Sequence, residues 1–504
     1  MSMPAELMTE TITLKELLEG IVDAPAIPVN GIAVDSRVLQ RGEVFLACQG
    51  ASSHGLDYLR QAEAAGAVAV VWDHPTLDEV AAEIPTLQVV GLAEQLGEIA
   101  NRWFDHPSRD VAVTGVTGTN GKTTTAFLIQ QCLRLLKKPC GYIGTLGSGL
   151  SEISGDGSMT TPACIELHAE LAAFRDDGAR HAAMEVSSHA IDQARVDGVQ
   201  FEAAIFTNLS RDHIDYHGGM REYFETKARL FLDFDVTHRI VSLDTEFGVE
   251  LADRCGSDVV AVSMDIEQVA NGKHYVFVRD VIASNTGSKV SITSSWGDGE
   301  FAIEMPGAFN VANAVQVLAL LLCQGVSIDA ACRVLGKVTA PPGRMQLVAS
   351  ANAGEPIVYV DYSHTPASLE AALNALRGHC GGKLWCVFGC GGDRDKGKRP
   401  MMGEVAERLS DVAIVTSDNP RTEDPDAIIL DVLAGMQKNA VTIADRNAAI
   451  KCAIREAATG DTILVAGKGH EYYQIVGKQR LRFSDSEVAA EHLAARAAQS
   501  ADRS

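Results

Sequence analysis

The chain has 504 residues, of which 46% are apolar and 22% charged, and its formal net charge at pH 7 is −23. At roughly 150 residues per domain this length points to about three domains, each with a core of its own, and excludes a peptide-sized or disordered chain. The acidic balance repels phosphate backbones and anionic lipid, so neither a nucleic-acid partner nor membrane insertion is expected; the longest apolar run, 317–323, is also far shorter than the roughly 20 residues of a membrane span.

Short apolar runs alternate with helical periodicity along the chain, the pattern of an α/β protein with βα units throughout. The N-terminus carries neither the basic start nor the apolar core of a signal peptide, which leaves the cytoplasm as the expected compartment. Residues 1–107 read as a small α/β domain, with strands at 31–37, 44–48 and 67–72, a helix at 58–65, and a helix at 92–104 that His106-Pro107 breaks. Residues 108–340 follow, with buried strands of a parallel sheet at 110–114, 182–186 and 203–207 and an apolar helix running from the 305–310 turn to Leu322. Ala340-Pro-Pro-Gly343 is the expected linker. Residues 341–504 carry strands at 357–361, 383–388, 412–416 and 462–466 between helical stretches. That is the order of a doubly wound, Rossmann-like sheet, whose ligands sit beyond the strand C-termini. Eleven cysteines are scattered through these elements without a Cys-x-x-Cys pair, which fits free, mostly buried thiols better than disulfides or zinc.

The strongest chemical signal is Gly115-Val-Thr-Gly118-Thr-Asn-Gly121-Lys122-Thr123-Thr124, between an apolar strand and a helix through Phe127, Leu128, Cys132 and Leu135. Glycines permit a tight turn whose backbone N–H groups face anionic oxygens, and the helix N-terminus adds positive potential. Lys122 reaches the terminal phosphates of a nucleotide and the Thr123 hydroxyl can bind Mg²⁺, so residues 108–340 are expected to hold a P-loop ATPase-type sheet. Gly115 stands one position before the usual first glycine, which Val116 replaces. The next strands end in Glu185-Val-Ser-Ser-His189 and Asn208-Leu-Ser-Arg-Asp-His213-Ile-Asp-Tyr-His217, so Glu185 and His213 can approach the loop as ligands of a divalent metal. A phosphate loop alone also suits a nucleotide-dependent switch or motor, which hydrolyses without any carboxylate or amine.

These segments are joined by Tyr223-Phe-Glu-Thr-Lys227, Gly343-Arg344-Met-Gln, Asp361-Tyr-Ser-His364-Thr-Pro, Gly389-Cys-Gly-Gly-Asp-Arg394, Asp418-Asn-Pro-Arg421 and Gly467-Lys-Gly-His-Glu471. Together they resemble, over essentially the whole chain, the Mur ligases, ATP-dependent amide-forming enzymes of peptidoglycan precursor synthesis. The resemblance implies that ATP phosphorylates the side-chain carboxyl of D-glutamate in a UDP-muramoyl dipeptide, and that an amine attacks the acyl phosphate. It implies ATP contacts at Gly118, Thr119, Asn120, Gly121, Lys122, Thr123 and Thr124, with Asn310 near the adenine. Arg344 from the linker and Asp361 from the third domain would complete that site on domain closure. Thr123 and Glu185 are implied at one Mg²⁺ and His213 at a second. Lys227, otherwise a solvated lysine of an amphipathic helix, is implied to be carbamylated and so to become an anionic oxygen ligand. Val34, Ser36, Ala51, Ser52, Ser53, Thr160, Thr161, Ser187, Gln193 and Arg195 match contacts to the UDP-muramoyl dipeptide, whereas Met159 stands where some relatives carry a polar residue.

L-Lysine and meso-diaminopimelate differ by a distal carboxylate, so a site for the latter should present a cation. Asp418-Asn419-Pro420-Arg421 resembles the diaminopimelate-adding branch of the family. Arg394 and Arg421 can each hold a carboxylate by paired hydrogen bonds, while Glu471 and the Gly467 carbonyl can accept from an ammonium. The expected partners are therefore small molecules, with ATP and Mg²⁺ as cofactors and the protein a monomer. An L-lysine-adding ligase and a folylpolyglutamate synthetase-like ligase are the alternatives; a pterin-glutamate substrate would have no use for an N-terminal nucleotide-sugar module.

Overall fold

The computed structural model describes residues 12–50, 53–74, 77, 79–154, 159–267, 274–284, 286–348, 355–438 and 440–501. Internal packing divides the chain into two compact units. One takes the chain up to Gly118 with Lys137–Ile205 and Arg211–Arg239; the other takes Thr119–Leu136, Phe206–Ser210 and the chain from Ile240 onward.

The first unit opens with a parallel four-stranded sheet in the order Gly31–Ala33, Glu43–Ala47, Ala69–Trp72, Thr86–Gln88. The amphipathic helix Leu92–Trp103 buries Leu92, Ile99 and Ala100 in one core with Val44, Leu46 and Val71. Each such branched side chain taken from water contributes about 1.5–3 kcal/mol. The first strand stops at Ala33, short of the expected 37, because Asp35 accepts from the Arg37 amide at 2.9 Å and turns the chain. Pro107 also opens a short helix, Pro107–Asp110, at whose first position its missing N–H is not needed. Neighbouring strands of a larger, ten-stranded sheet follow in the order Phe201–Phe206, Ala112–Thr117, His181–Glu185, Cys140–Gly144, Gly147–Gly149. Val116 lies opposite Glu185 where the second and third of these strands pair in parallel.

In the second unit helix Lys122–Leu135 packs on Ala308–Cys323, which is apolar on nearly every face and correspondingly buried. The βα regularity expected throughout then fails. His274–Ala283, Ser288–Ser294 and Gly297–Ile303 form an antiparallel meander, whose first strand pairs in parallel with Val259–Ser263. Ser288–Ser294 hides in the sequence because its inward positions include Ser288 and Ser294, so burial alternates where hydrophobicity does not.

The last sheet has the order Gln346–Val348, Ile357–Asp361, Thr462–Ala466, Leu384–Phe388, Val412–Val415, Val441–Thr442, parallel except at its first pair. Alternate residues feed two cores: Tyr359, Leu464 and Phe388 on one face, Val360, Val465 and Val387 on the other, as in a doubly wound sheet. A hairpin, Tyr473–Val476 with Gln479–Arg482, follows. All eleven cysteines are free, and none is exposed. No helix among the described residues is long and apolar enough to cross a membrane.

Candidate active site

The strand Ala112–Thr117 leads into Gly118 and Gly121, at φ 143° and 88°, and helix Lys122–Leu135 starts directly after. Gly121 is required twice over: its backbone is left-handed, and a Cβ there would run into Asn313 Oδ1. The segment after strand Phe201–Phe206 braces the loop. Thr119 N donates to Asn208 O at 2.9 Å, and the Thr119 hydroxyl donates to Ser210 O at 3.1 Å. The Asn120 carbonyl accepts from Thr207 Oγ1 at 2.6 Å and from Asn208 Nδ2 at 3.0 Å. Lys122 curls back to donate to Thr119 O at 2.9 Å, and Thr123 and Thr124 are buried in the first helical turn. Gly121 brings no capping side chain to the first-turn amides, so amides, dipole and ammonium together suit phosphate oxygens.

In the first unit the Glu185 carboxylate is buried and oriented. Oε1 accepts from Tyr142 OH at 2.7 Å and from Thr145 N at 2.8 Å, and Oε2 from Thr145 Oγ1 at 3.2 Å. His213 sits at a left-handed φ of 51°, edge-on to His189 with ring centroids 4.8 Å apart. His189 continues to Tyr216 at 4.1 Å and His217 at 5.7 Å, and His217 lies 5.1 Å from Tyr223. Over the Tyr223 ring, at 4.6 Å, stands Lys227 Nζ, which donates to Gly118 O at 3.0 Å. Lys227 is 1% exposed, so the solvated-lysine reading is excluded. Burial, then the positive charge of His213, His217, Arg195 and Lys227, holds the His189 imidazole below its ordinary pKa. No three His, Cys, Asp or Glu side chains among the described residues form a metal cage. A single buried, oriented carboxylate such as Glu185 instead suits Mg²⁺, which keeps water and substrate phosphates as most of its ligands.

Thr160, Thr161, Ser187, Gln193 and Arg195 come together around the end of the Glu185 strand. Thr161 Oγ1 donates to Glu185 O at 2.8 Å and accepts from Ser187 N at 3.1 Å. Thr160 Oγ1 accepts from Thr145 Oγ1 at 3.3 Å. Arg195 donates to Thr161 O and Gln193 Oε1, both at 3.1 Å, and to the Met159 sulfur at 3.3 Å, so Met159 supports the arginine. Val34, Ser36 and Ser53 belong to the N-terminal sheet and its flanks, where Ser36 donates to Gln61 and Ser53 pairs with Tyr58. Ala51 and Ser52 lie outside the described residues.

The remaining candidates fall in the second unit. Asn310 is buried and donates to Pro306 O at 2.8 Å. Arg344 stacks 4.5 Å over Tyr362, and Asp361 accepts from Met345 N at 2.7 Å and Ser363 N at 3.0 Å. The linker is not a loose tether, since a Cβ on Gly343 would strike the His470 amide. Burial, then Arg344, pushes the His470 imidazole down to about 4. Arg421, at φ 52°, donates to Gly392 O at 2.7 Å. A Cβ on Gly391 would lie 2.9 Å from Arg421 Nη1 and 3.9 Å from Arg394 Cγ, so the Arg421 guanidinium and the Arg394 stem both flank this glycine. Asp418 accepts from Asn419 N at 2.6 Å, the Pro420 carbonyl accepts from Glu423 N, and Gly467 N reaches Asp361 O at 3.1 Å. Asn419 donates to Glu471 Oε2 at 2.9 Å. Left-handed, non-glycine residues occur in the singled-out loops at His213, Met345, Asp393 and Arg421, as they do elsewhere at Asp105, His106, Lys137 and Ala194, each retaining strain of order 1–3 kcal/mol.

Sequence reasoning missed the supports. Tyr142 and Asn313 carry no motif. Arg399 is fully buried between Glu423 and Asp431, both at 2.8 Å, and its guanidinium helps hold the Glu423 carboxyl down at about 2. Arg446 pairs with Asp485 at 2.7 Å, both 0% exposed, and also donates to Ala466 O, at the end of strand Thr462–Ala466, and to Ser417 O, just beyond strand Val412–Val415. Lys468 alone had a signal, lying inside Gly467-Lys-Gly-His-Glu471.

Three family models match stretches of the chain. Residues 28–104 match "Mur ligase family, catalytic domain", 116–321 "Mur ligase middle domain" and 343–469 "Mur ligase, glutamate ligase domain". A UDP-N-acetylmuramoyl-L-alanyl-D-glutamate–2,6-diaminopimelate ligase of Chromobacterium violaceum is 44% identical over 476 residues, 93% of this chain and 95% of the relative. One of Xanthomonas campestris pv. campestris is 42% identical over 490 residues, covering 96% and 98%. A solved structure of a ligase with the same name superposes with TM-score 0.73 at 31% identity, covering 97% of this chain and all of that one. Folylpolyglutamate synthase of Mycobacterium tuberculosis shares the fold, with TM-score 0.57 at 20% identity, but over 74% of this chain.

Proposed function

From the premise that the chain belongs to the Mur ligase family, we propose that it joins meso-diaminopimelate to the D-glutamate side-chain carboxyl of UDP-N-acetylmuramoyl-L-alanyl-D-glutamate, with ATP consumed. It is an ATP-dependent carbon–nitrogen ligase of peptidoglycan precursor synthesis. We keep the division into 1–107, 108–340 and 341–504 as a UDP-sugar, an ATP and an amino-acid domain, and expect a cytoplasmic monomer.

A carboxylate resists attack by an amine because oxide would have to leave. Phosphorylation converts that oxygen into part of a phosphate leaving group; the amine then adds, loses a proton and expels phosphate. Lys122 exchanges its bond to Thr119 O for terminal phosphate oxygens at the N-terminus of helix Lys122–Leu135. Arg344, braced on Tyr362, adds a second cation for phosphate, with Asn310 and Asp361 toward the rest of the nucleotide. Thr123, Glu185, His213 and a carbamate on Lys227 are the proposed Mg²⁺ donors; the bound ion would neutralise charge on the transferring phosphoryl group. Lys227 is buried enough to hold a carbamate away from bulk water, formed when its neutral amine adds to CO₂ and releases a proton. A mass increment of one CO₂ on the intact protein, lost on acidification, would verify it; an unmodified, active protein would remove it. Thr160, Thr161, Ser187, Gln193 and Arg195 supply hydroxyl, amide and guanidinium groups for the dipeptide's carboxylates.

The observation that supports this amine is the cluster of Arg394 and Arg421 on Gly391, with Glu471 tied to the same loop through Asn419. L-Lysine lacks the distal carboxylate and would leave a guanidinium facing no anion. The test is phosphate release with ATP, Mg²⁺ and the UDP-muramoyl dipeptide, comparing meso-diaminopimelate, L-lysine and no amine. Release dependent on diaminopimelate, with one new amide, is expected. Release with lysine would overturn the loop assignment, and release needing neither amine nor dipeptide would move the protein to a switch or motor.

A further inference from the structure

Lys468 is 0% exposed, carries a charge, and takes no part in the reaction as derived above. Burying an ammonium is costly unless it is paired and fully hydrogen-bonded, and an apolar residue of the same size would fill the space as well. Its partners are two candidate amino-acid-site residues at once: Nζ donates to Glu471 Oε2 at 2.9 Å and to Asn419 Oδ1 at 3.1 Å. Asn419 Nδ2 closes the ring by donating to the same Glu471 oxygen at 2.9 Å. The hairpin completes it, since Ile475 N donates to Asn419 Oδ1 at 2.9 Å and Ile475 O accepts from Arg421 N at 3.0 Å.

Glu471 Oε2 is thereby anchored twice. No hydrogen bond among the described residues reaches Oε1, and the side chain is 18% exposed, so one oxygen is fixed and the other faces outward. We propose that Lys468 is a positioning residue for amino-acid selection. It orients the Glu471 carboxylate toward a substrate ammonium and locks it to the loop bearing Arg421, setting the spacing between ammonium and carboxylate that a diamino diacid must match. This rests on the reading of Glu471 and Arg421 as the amino-acid site.

The test is steady-state kinetics of full-length Lys468→Met, Glu471→Gln and the double variant, with KM measured separately for meso-diaminopimelate, ATP and the UDP-muramoyl dipeptide, beside thermal melts. For Lys468→Met the expected result is a KM for diaminopimelate raised roughly tenfold or more, the other two within about twofold and the melt near wild type. If Lys468 acts through Glu471, the double variant is no worse than Glu471→Gln alone. Multiplying effects in the double variant, no change in Lys468→Met, or an equal rise in all three KM values with a lowered melt would each overturn the inference. Glu471→Gln without effect on diaminopimelate would instead remove the site reading itself. Should Lys468→Met not fold, Lys468→Gln, which keeps a donor for Asn419 but not the charge, carries the same expectations.

Discussion

The proposed phosphate loop at 118–124 is a run of neighbouring residues, shaped by two left-handed glycines and braced by backbone and side-chain hydrogen bonds to 207–210. The proposed amino-acid loops at 391–394, 418–423 and 467–471 come from three strand ends and are held by buried charge: Arg399 to Glu423 and Asp431, Arg446 to Asp485, Lys468 to Glu471. On the proposed reading, phosphate, a ligand common to many proteins, would be met by local geometry that a short motif can encode. An amino acid that must be told from a near twin would be met by side chains whose positions depend on distant ion pairs, and those pairs are where the second region is vulnerable.

The largest expected effect breaks that second region. Arg446→Met leaves Asp485 buried without a partner and should destabilise by about 3–5 kcal/mol in denaturant titration, whereas adding Asp485→Leu should recover much of the loss. An Arg446→Met protein as stable as wild type would show that buried charge does not hold these loops. Next, Lys122→Ala should lower kcat roughly a hundredfold to a thousandfold with the melt unchanged, since it removes transition-state charge and no packing. Arg421→Ala should raise KM for diaminopimelate roughly tenfold to a hundredfold and leave KM for ATP alone, the two regions then being separable; equal loss of both would mean they are not.

A further effect is in acid. The unfolded His470 has its ordinary value of 6.5 and the folded one is held down at about 4, so below 6.5 the unfolded chain binds the extra proton. The contribution is fully present above 6.5 and is lost as pH falls from there to about 4. His470→Gln should therefore flatten the acid limb of the stability curve in that window, and an unchanged limb would show that His470 protonates freely in the folded protein.

Much of the last sheet was legible: the strands at 357–361, 384–388, 412–415 and 462–466 end within one residue of expectation, because central parallel strands are continuous apolar runs. The meander at 274–303 was not, since Ser288–Ser294 takes its inward face partly from serine. Lys227 reads as a solvated lysine by periodicity, yet it is buried against Tyr223 and Gly118. Helical periodicity gives the face of a residue, not what covers it.

By itself the sequence determined the glycine-rich turn between strand and helix, the family and the identity of the charged loop residues, because each is carried by neighbours in the chain whose chemistry does not depend on what lies far away. The tertiary structure alone decided that Arg394 and Arg421 flank one glycine, that Glu185 is oriented by Tyr142 and Thr145, and that Lys468 joins Glu471 to Asn419. Those outcomes require strand ends distant in the chain to meet. Whether a buried charge finds its partner is settled by that meeting, since a charge left alone in the interior would cost more than the fold can sustain.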